Sequence, residues 1–129
     1  MRNIGVFTAR PIQPAELVEF VSSYSSSLGQ QSTRRDGETI VGNEPNFLYV
    51  FDETSVEQGY AAEEDSRLVE SKMGTHPKSY VNMHFTSTEG AASLAEAFAQ
   101  EIRRRWNGII DYSGAGGDLD VPPEHHRGQ

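Results

Sequence analysis

The sequence predicts an α+β fold, a mixed sheet of about five strands packed on helices. Three observations lead to it. Short β-branched and aromatic runs with a two-residue alternation recur along the chain. Apolar stripes with helical spacing lie between them, and glycine, proline or asparagine marks most changes of period. The 129 residues suit one domain, and 36% hydrophobic residues plus 12 glycines give a globular composition.

Residues 3–8 (NIGVFT) read as a first strand, ended by Arg10 and Pro11. A helix begins at Pro14, where a missing N–H costs nothing, with Glu16 in the first turn where the dipole favours it. Leu17, Phe20, Val21, Tyr24 and Leu28 form its stripe and Gly29 ends it. Ser22, Ser23, Ser25, Ser26 and Ser27 are expected to face water. Residues 30–36 read as a polar loop. Residues 38–41 and 46–51 are β-rich runs joined by Gly42, Asn43, Glu44 and Pro45, the residues of a hairpin loop. In the second run Phe47, Tyr49 and Phe51 alternate with Leu48 and Val50. Both faces are apolar, so this strand is expected to be central.

Residues 52–60 read as an acidic loop. Residues 61–73 read as a helix stopped by Gly74, its thin apolar face made of Leu68, Val69, Met73 and Ala61 or Ala62; a strand over 67–72 is the competing reading. Residues 80–86 set Val81, Met83 and Phe85 against Tyr80, Asn82 and His84, a strand with one buried face. Thr86 and Glu89 have capping-box spacing. The helix they open carries Ala91, Leu94, Ala95, Phe98, Ala99, Ile102 and Trp106 on one stripe and Arg103, Arg104 and Arg105 in its last turn, before Asn107 and Gly108. Residues 109–112 read as a last strand. Residues 1–112 thus form a single globular domain. Residues 113–129, rich in Gly and Pro, read as a mobile C-terminal tail, docked at most by Leu119 and Val121. The first six elements match a ferredoxin-like β-α-β-β-α-β sandwich, with an added α-β. A different small α/β sandwich of the same elements is the alternative.

The chain carries 11 Lys and Arg against 19 Asp and Glu, a formal net charge of −8. Phosphate binding needs a basic face, so nucleic acid is not expected as a direct ligand, nor is an anionic membrane. No apolar run approaches the ~20 residues of a membrane span, and residues 4–7 fall short of the roughly 7–15 residues of a secretory core. A cytoplasmic protein is the expectation.

The absence of cysteine excludes disulfides, thiolate metal sites and a Cys nucleophile. Glu124, His125 and His126 come nearest to a metal motif, but a mobile tail fixes no geometry. His76 precedes Pro77 in a loop, and His84 lies on the polar side of its strand. Gly114, Gly116 and Gly117 are followed by no helix, so they form no phosphate cradle. There is no G-x-S-x-G elbow. Asp111 at a strand end reads as a turn former. Phe98 and Trp106 read as core, and Tyr24 and Tyr80 as core filling. No cofactor or metal is expected, and the chain is not read as an enzyme.

Residues 52–73 concentrate the charge. Asp52, Glu53, Glu57, Glu63, Glu64, Asp65 and Glu70 stand against Arg67 and Lys72. Like charges repel, and a basic partner relieves that cost. Asp52, Glu53, Glu57, Tyr60, Glu63, Glu64 and Asp65 are therefore the candidate partner-binding residues, with Tyr60 as an aromatic anchor. A solvated surface explains the same residues without a partner, and the spacing does not match a calcium loop.

Leu68, Met73-Gly74, Pro77, residues 81–85, Leu94-Ala95, Phe98-Ala99, and Trp106, Gly108, Ile109, Ile110 and Asp111 trace a helix ended by Gly, an apolar strand, a Leu-Ala and Phe-Ala helix, and an aromatic-Gly-apolar-apolar-Asp close. Over residues 61–117 this resembles the C-terminal half of small bacterial immunity proteins of polymorphic-toxin and contact-dependent inhibition systems. The resemblance implies a cytoplasmic inhibitor that binds a cognate toxin and occludes it. Such toxins are often basic nucleases. It transfers no contact residue, and a homodimer is compatible with it. A small-molecule-binding or regulatory interaction domain is the alternative function.

Overall fold

The computed structural model describes residues 1–60, 62–112 and 119. The chain runs β1 (Arg2–Thr8), α1 (Pro14–Ser27), β2 (Ser32–Arg35), β3 (Glu38–Asn43), β4 (Asn46–Phe51), a 3-10 turn (Val56–Gly59), α2 (Glu63–Met73), β5 (Ser79–Phe85), α3 (Glu89–Trp106) and β6 (Gly108–Asp111). The fold is α+β, with three helices on a six-stranded open sheet of order β2-β3-β4-β5-β1-β6. Every neighbouring pair is antiparallel.

This corrects the expected mixed sheet of about five strands. β1 lies between β5 and β6, and both run against it, so no parallel pair forms. The sixth strand is β2, inside the segment read as a loop. Three strands rather than two therefore follow the first helix, which breaks the ferredoxin-like order. All four β2 residues are exposed, so no alternation marks it. Polar cross-strand pairs hold it instead. Arg34 donates to Thr39 at 2.9 Å and makes two bonds of 2.7 Å to Asp52, while Arg35 pairs with Glu38 at 3.2 Å. Asp36 and Gly37 between β2 and β3 are the sequence signal for this hairpin.

Helices α1 and α3 cover one face of the sheet. Ile4 and Val6 of β1, Leu48 and Val50 of β4, and Val81, Met83 and Phe85 of β5 point into that layer. Each strand sends alternate residues there because the side-chain period is two. The α3 stripe from Ala91 to Trp106 is buried as expected. Phe98 meets Tyr24 edge-on at 4.9 Å and Phe20 at 6.2 Å, and Phe20 meets Trp106 at 5.2 Å. The Arg105 guanidinium lies 5.3 Å from the Phe20 ring centre.

Four local readings change. Ser25 is fully buried rather than wet, because its hydroxyl donates to the Val21 carbonyl at 2.6 Å and needs no water. Leu28 lies beyond the helix, exposed. The cap of α3 is Thr88, which accepts from the Ala91 N–H at 3.2 Å. Thr86 instead accepts from the Phe47 N–H at 3.1 Å and donates to the Pro45 carbonyl at 3.0 Å, tying β5 to the β3–β4 hairpin. On α2, Val69 is fully buried while Leu68 is exposed, so the helix sits rotated from its expected stripe. Gly74 ends α2 with φ +77°, a conformation that L side chains rarely adopt.

Candidate functional site

The sheet's other face divides into two halves. Over β5, β1 and β6 it is covered by the segment that carries the acidic residues. Phe7, Tyr80 and Ile109 rise from the strands. Val69 of α2 comes down on them, with Val56, Tyr60, Met73 and Leu119 around it. Phe7 lies 4.5 Å from Tyr80 and 5.5 Å from Tyr60, ring centre to ring centre. The 3-10 turn can lie this close because residue 59 is glycine: a Cβ there would stand 2.6 Å from Phe7 and 2.7 Å from Tyr80. Gln58 fixes the turn by donating to the Glu53 carbonyl at 2.8 Å and the Tyr80 carbonyl at 2.9 Å. The Tyr80 N–H bonds the Thr54 carbonyl at 3.0 Å, and the Thr54 hydroxyl bonds the Ile12 carbonyl at 2.8 Å.

The candidate partner-binding residues take different places on this layer. Glu57 lies on the 3-10 turn and Glu64 on α2, both exposed. Glu53 is exposed and accepts the Ser55 hydroxyl. Glu63 opens α2. Among the described residues Glu53, Glu57 and Glu64 have no ion pair. The other three are engaged by the fold. Asp52 is held by Arg34. Asp65 is buried and accepts the Ala62 N–H at 3.0 Å, closing the start of α2. Tyr60 is half-buried on Phe7, its hydroxyl pKa raised by burial and then by Glu70, Glu57 and Asp65. Acids at residues 63–65 also have a local reason, since the first turn of a helix favours negative charge.

Over β2, β3 and β4 no helix among the described residues lies on the same face. The register puts Thr33, Ile40, Tyr49 and His84 in one row across β2, β3, β4 and β5. Phe47 and Phe51 flank Tyr49 on β4, and Glu38 pairs with Phe51. Ile40, Phe47, Tyr49, Phe51 and His84 are all half-buried. Phe47 and Tyr49 lie 6.3 Å apart, and His84 meets Phe51 edge-on at 4.8 Å. Burial lowers the His84 pKa, the Glu38 carboxylate opposes that, and the N-terminal amine adds to it. β4 is central, as expected, but among the described residues only its helix side is fully buried. The sequence shows apolar residues on both sides of this strand. It does not show that the covering helix falls over β1 and β5.

Beneath the covered half, the Tyr80 hydroxyl donates to Asp111, and both residues are buried. Burial, then the Asp111 charge and that hydrogen bond, push the Tyr80 pKa well up. Asp111 also pairs through a β-bridge with Leu119. It thus acts within the fold, beyond the turn-forming part expected of it. Val121, the Gly114–Gly117 stretch and the Glu124-His125-His126 motif lie outside the described residues. His76 lies 2.8 Å from Glu70 at the surface. Among the described residues no three His, Asp or Glu side chains are grouped to hold a metal, and no helix is long and apolar enough to cross a membrane.

A separate open concavity of about 650 Å³ lies beside the C-terminal half of α3, lined by Tyr24, Gln100, Arg103, Arg104 and Asn107 among others. Comparison with family models, characterised proteins and solved structures gave no match.

Proposed function

We propose that this protein is an immunity-type inhibitor that binds and neutralises a basic bacterial toxin domain. The observation that carries the reading is the outer layer itself. A 3-10 turn and α2, with Glu57 and Glu64 exposed, are clamped on the sheet by Phe7, Tyr80 and Val69. Exposed charge on a packed support steers a partner of opposite sign. The resemblance over residues 61–117 supports the same reading. Inhibition would follow from steric occlusion once the partner is seated.

The test begins with capture of the partner from lysate of the source organism at low and moderate salt. The expected partner is a basic protein whose activity is lost on equimolar addition of this chain. Glu57→Lys with Glu64→Lys should slow association about tenfold or more at low salt and flatten its salt dependence. A captured protein whose activity is untouched, or an unchanged association rate in the double variant, contradicts the proposal.

The concavity beside α3 favours a second reading, a small-ligand domain. Its volume is within the range of ligand pockets, about 300–1,000 Å³, and Arg103, Arg104 and Glu101 line it, Arg104 being paired with Glu101. A rise in unfolding midpoint with an anionic metabolite, lost in Arg104→Ala, would support that reading.

A further inference from the structure

We propose that the outer edge of β6 is a docking edge for an extended segment of a partner protein that brings a leucine-like side chain to the position of Leu119, and that Leu119 holds this place within the chain itself. Neither Glu57 nor Glu64 enters the contact, so it stands apart from the acidic surface.

An open sheet ends in two edges, and an edge leaves backbone N–H and C=O groups ready to pair with another chain. The β2 edge is guarded against this. Its four residues are exposed, and Arg34 and Arg35 are held there by Asp52 and Glu38. The β6 edge is of the other kind. β6 pairs with β1 on one side, Ile109, Ile110 and Asp111 are buried, and the strand carries no Lys or Arg. Among the described residues its far side makes one β-bridge, antiparallel, between Asp111 and Leu119.

That bridge indicates what the edge accepts. Leu119 is 9% exposed and joins Phe7, Val69, Tyr80 and Ile109 in the outer cluster. Backbone pairing and a side chain in a preformed pocket are the two contacts by which a sheet edge takes up an extended ligand. The first gives affinity and the second selects the side chain. The Asp111 carboxylate already receives the Tyr80 hydroxyl. Gly5 gives the Tyr80 side chain room on β1, since a Cβ there would overlap its hydroxyl oxygen. This buried charge is met within the fold, so the edge selects an apolar side chain rather than a cation. A segment paired along the whole of β6 makes more backbone bonds than a single bridge. Leu119 competes by tethering: six residues separate it from Tyr112, which holds it at a high local concentration.

The test is NMR titration of the isotope-labelled full chain and of its Leu119→Ser variant with a synthetic peptide of the sequence of residues 116–123. In the variant, shifts are expected at the backbone amides of β6 and the methyls of Val69 and Ile109, with one common affinity. The unsubstituted chain should bind the same peptide about tenfold more weakly, because its own Leu119 holds the place. A peptide carrying Leu119→Ser should not bind. Leu119→Ala in the full chain is made as a second variant, and the unfolding midpoint and circular dichroism identify the ones that fold. Equal affinity with and without Leu119, equal binding of the two peptides, shifts at β2 in place of β6, or no shift in a folded variant would overturn the proposal. Each of these outcomes leaves the acidic-surface reading to its own test.

Discussion

The two halves of the outer face belong to one sheet and end differently. Over β5, β1 and β6, Phe7 and Tyr80 are closed off by Val69, Tyr60 and Gly59. Over β3 and β4, Ile40, Phe47, Tyr49 and Phe51 meet no such layer among the described residues and are only half-buried. Both halves present apolar residues, but among the described residues only one carries a lid. Apolar side chains on a sheet face therefore do not by themselves identify core. What decides it is where the intervening segment lands.

The comparison can be broken first from beneath. Phe98→Ala removes the α3 ring buried against Phe20 and Tyr24 of α1, in the layer behind the sheet, and should cost about 3–5 kcal/mol in urea unfolding. A much smaller loss would contradict its place in that layer. Gly59→Ala attacks the lid alone. The added Cβ must displace Phe7 or Tyr80, at about 1–3 kcal/mol, and should raise hydrogen exchange in the 3-10 turn and α2 while leaving β3 and β4 unchanged.

Titration sharpens the contrast. Tyr80 has a folded pKa above that of the unfolded chain, so the native state holds its proton more tightly. The associated stability is intact below the ordinary tyrosine value, about pH 10, and is lost as pH rises beyond it. Tyr80→Phe should flatten this alkaline loss and itself cost about 1–3 kcal/mol. On the open half the sign reverses in pH. His84 has a folded pKa below the ordinary value of about 6.5, so its contribution is present above that pH and is lost as pH falls below it. Glu38 opposes the shift and the N-terminal amine adds to it, so His84→Gln should remove only a shallow acid slope.

The parts legible in the sequence were those with strong periodicity. The α3 stripe and the alternation of β5 could be read from residue spacing, and the β3–β4 hairpin from its turn residues, although Gly42 and Asn43 pair within β3 and only Glu44 and Pro45 make the turn. β2 could not, because Ser32, Thr33, Arg34 and Arg35 bury nothing and are held by partners distant in sequence. The candidate site was legible as charge but not as geometry. Glu57 and Glu64 are exposed, whereas Asp65 closes a helix, Asp52 holds Arg34 and Tyr60 stacks on Phe7. A carboxylate's letter is the same in either use, and only its neighbours separate them.

The most direct test of the difference between the halves is paramagnetic relaxation of aromatic NMR signals by a soluble, uncharged relaxation agent. If one half is open and the other closed, the rings of Phe47, Tyr49 and Phe51 will relax strongly, and those of Phe7 and Tyr80 only weakly. Equal protection of the two sets would show that the open half is covered in solution, and would contradict the division of the outer face into a closed and an open half.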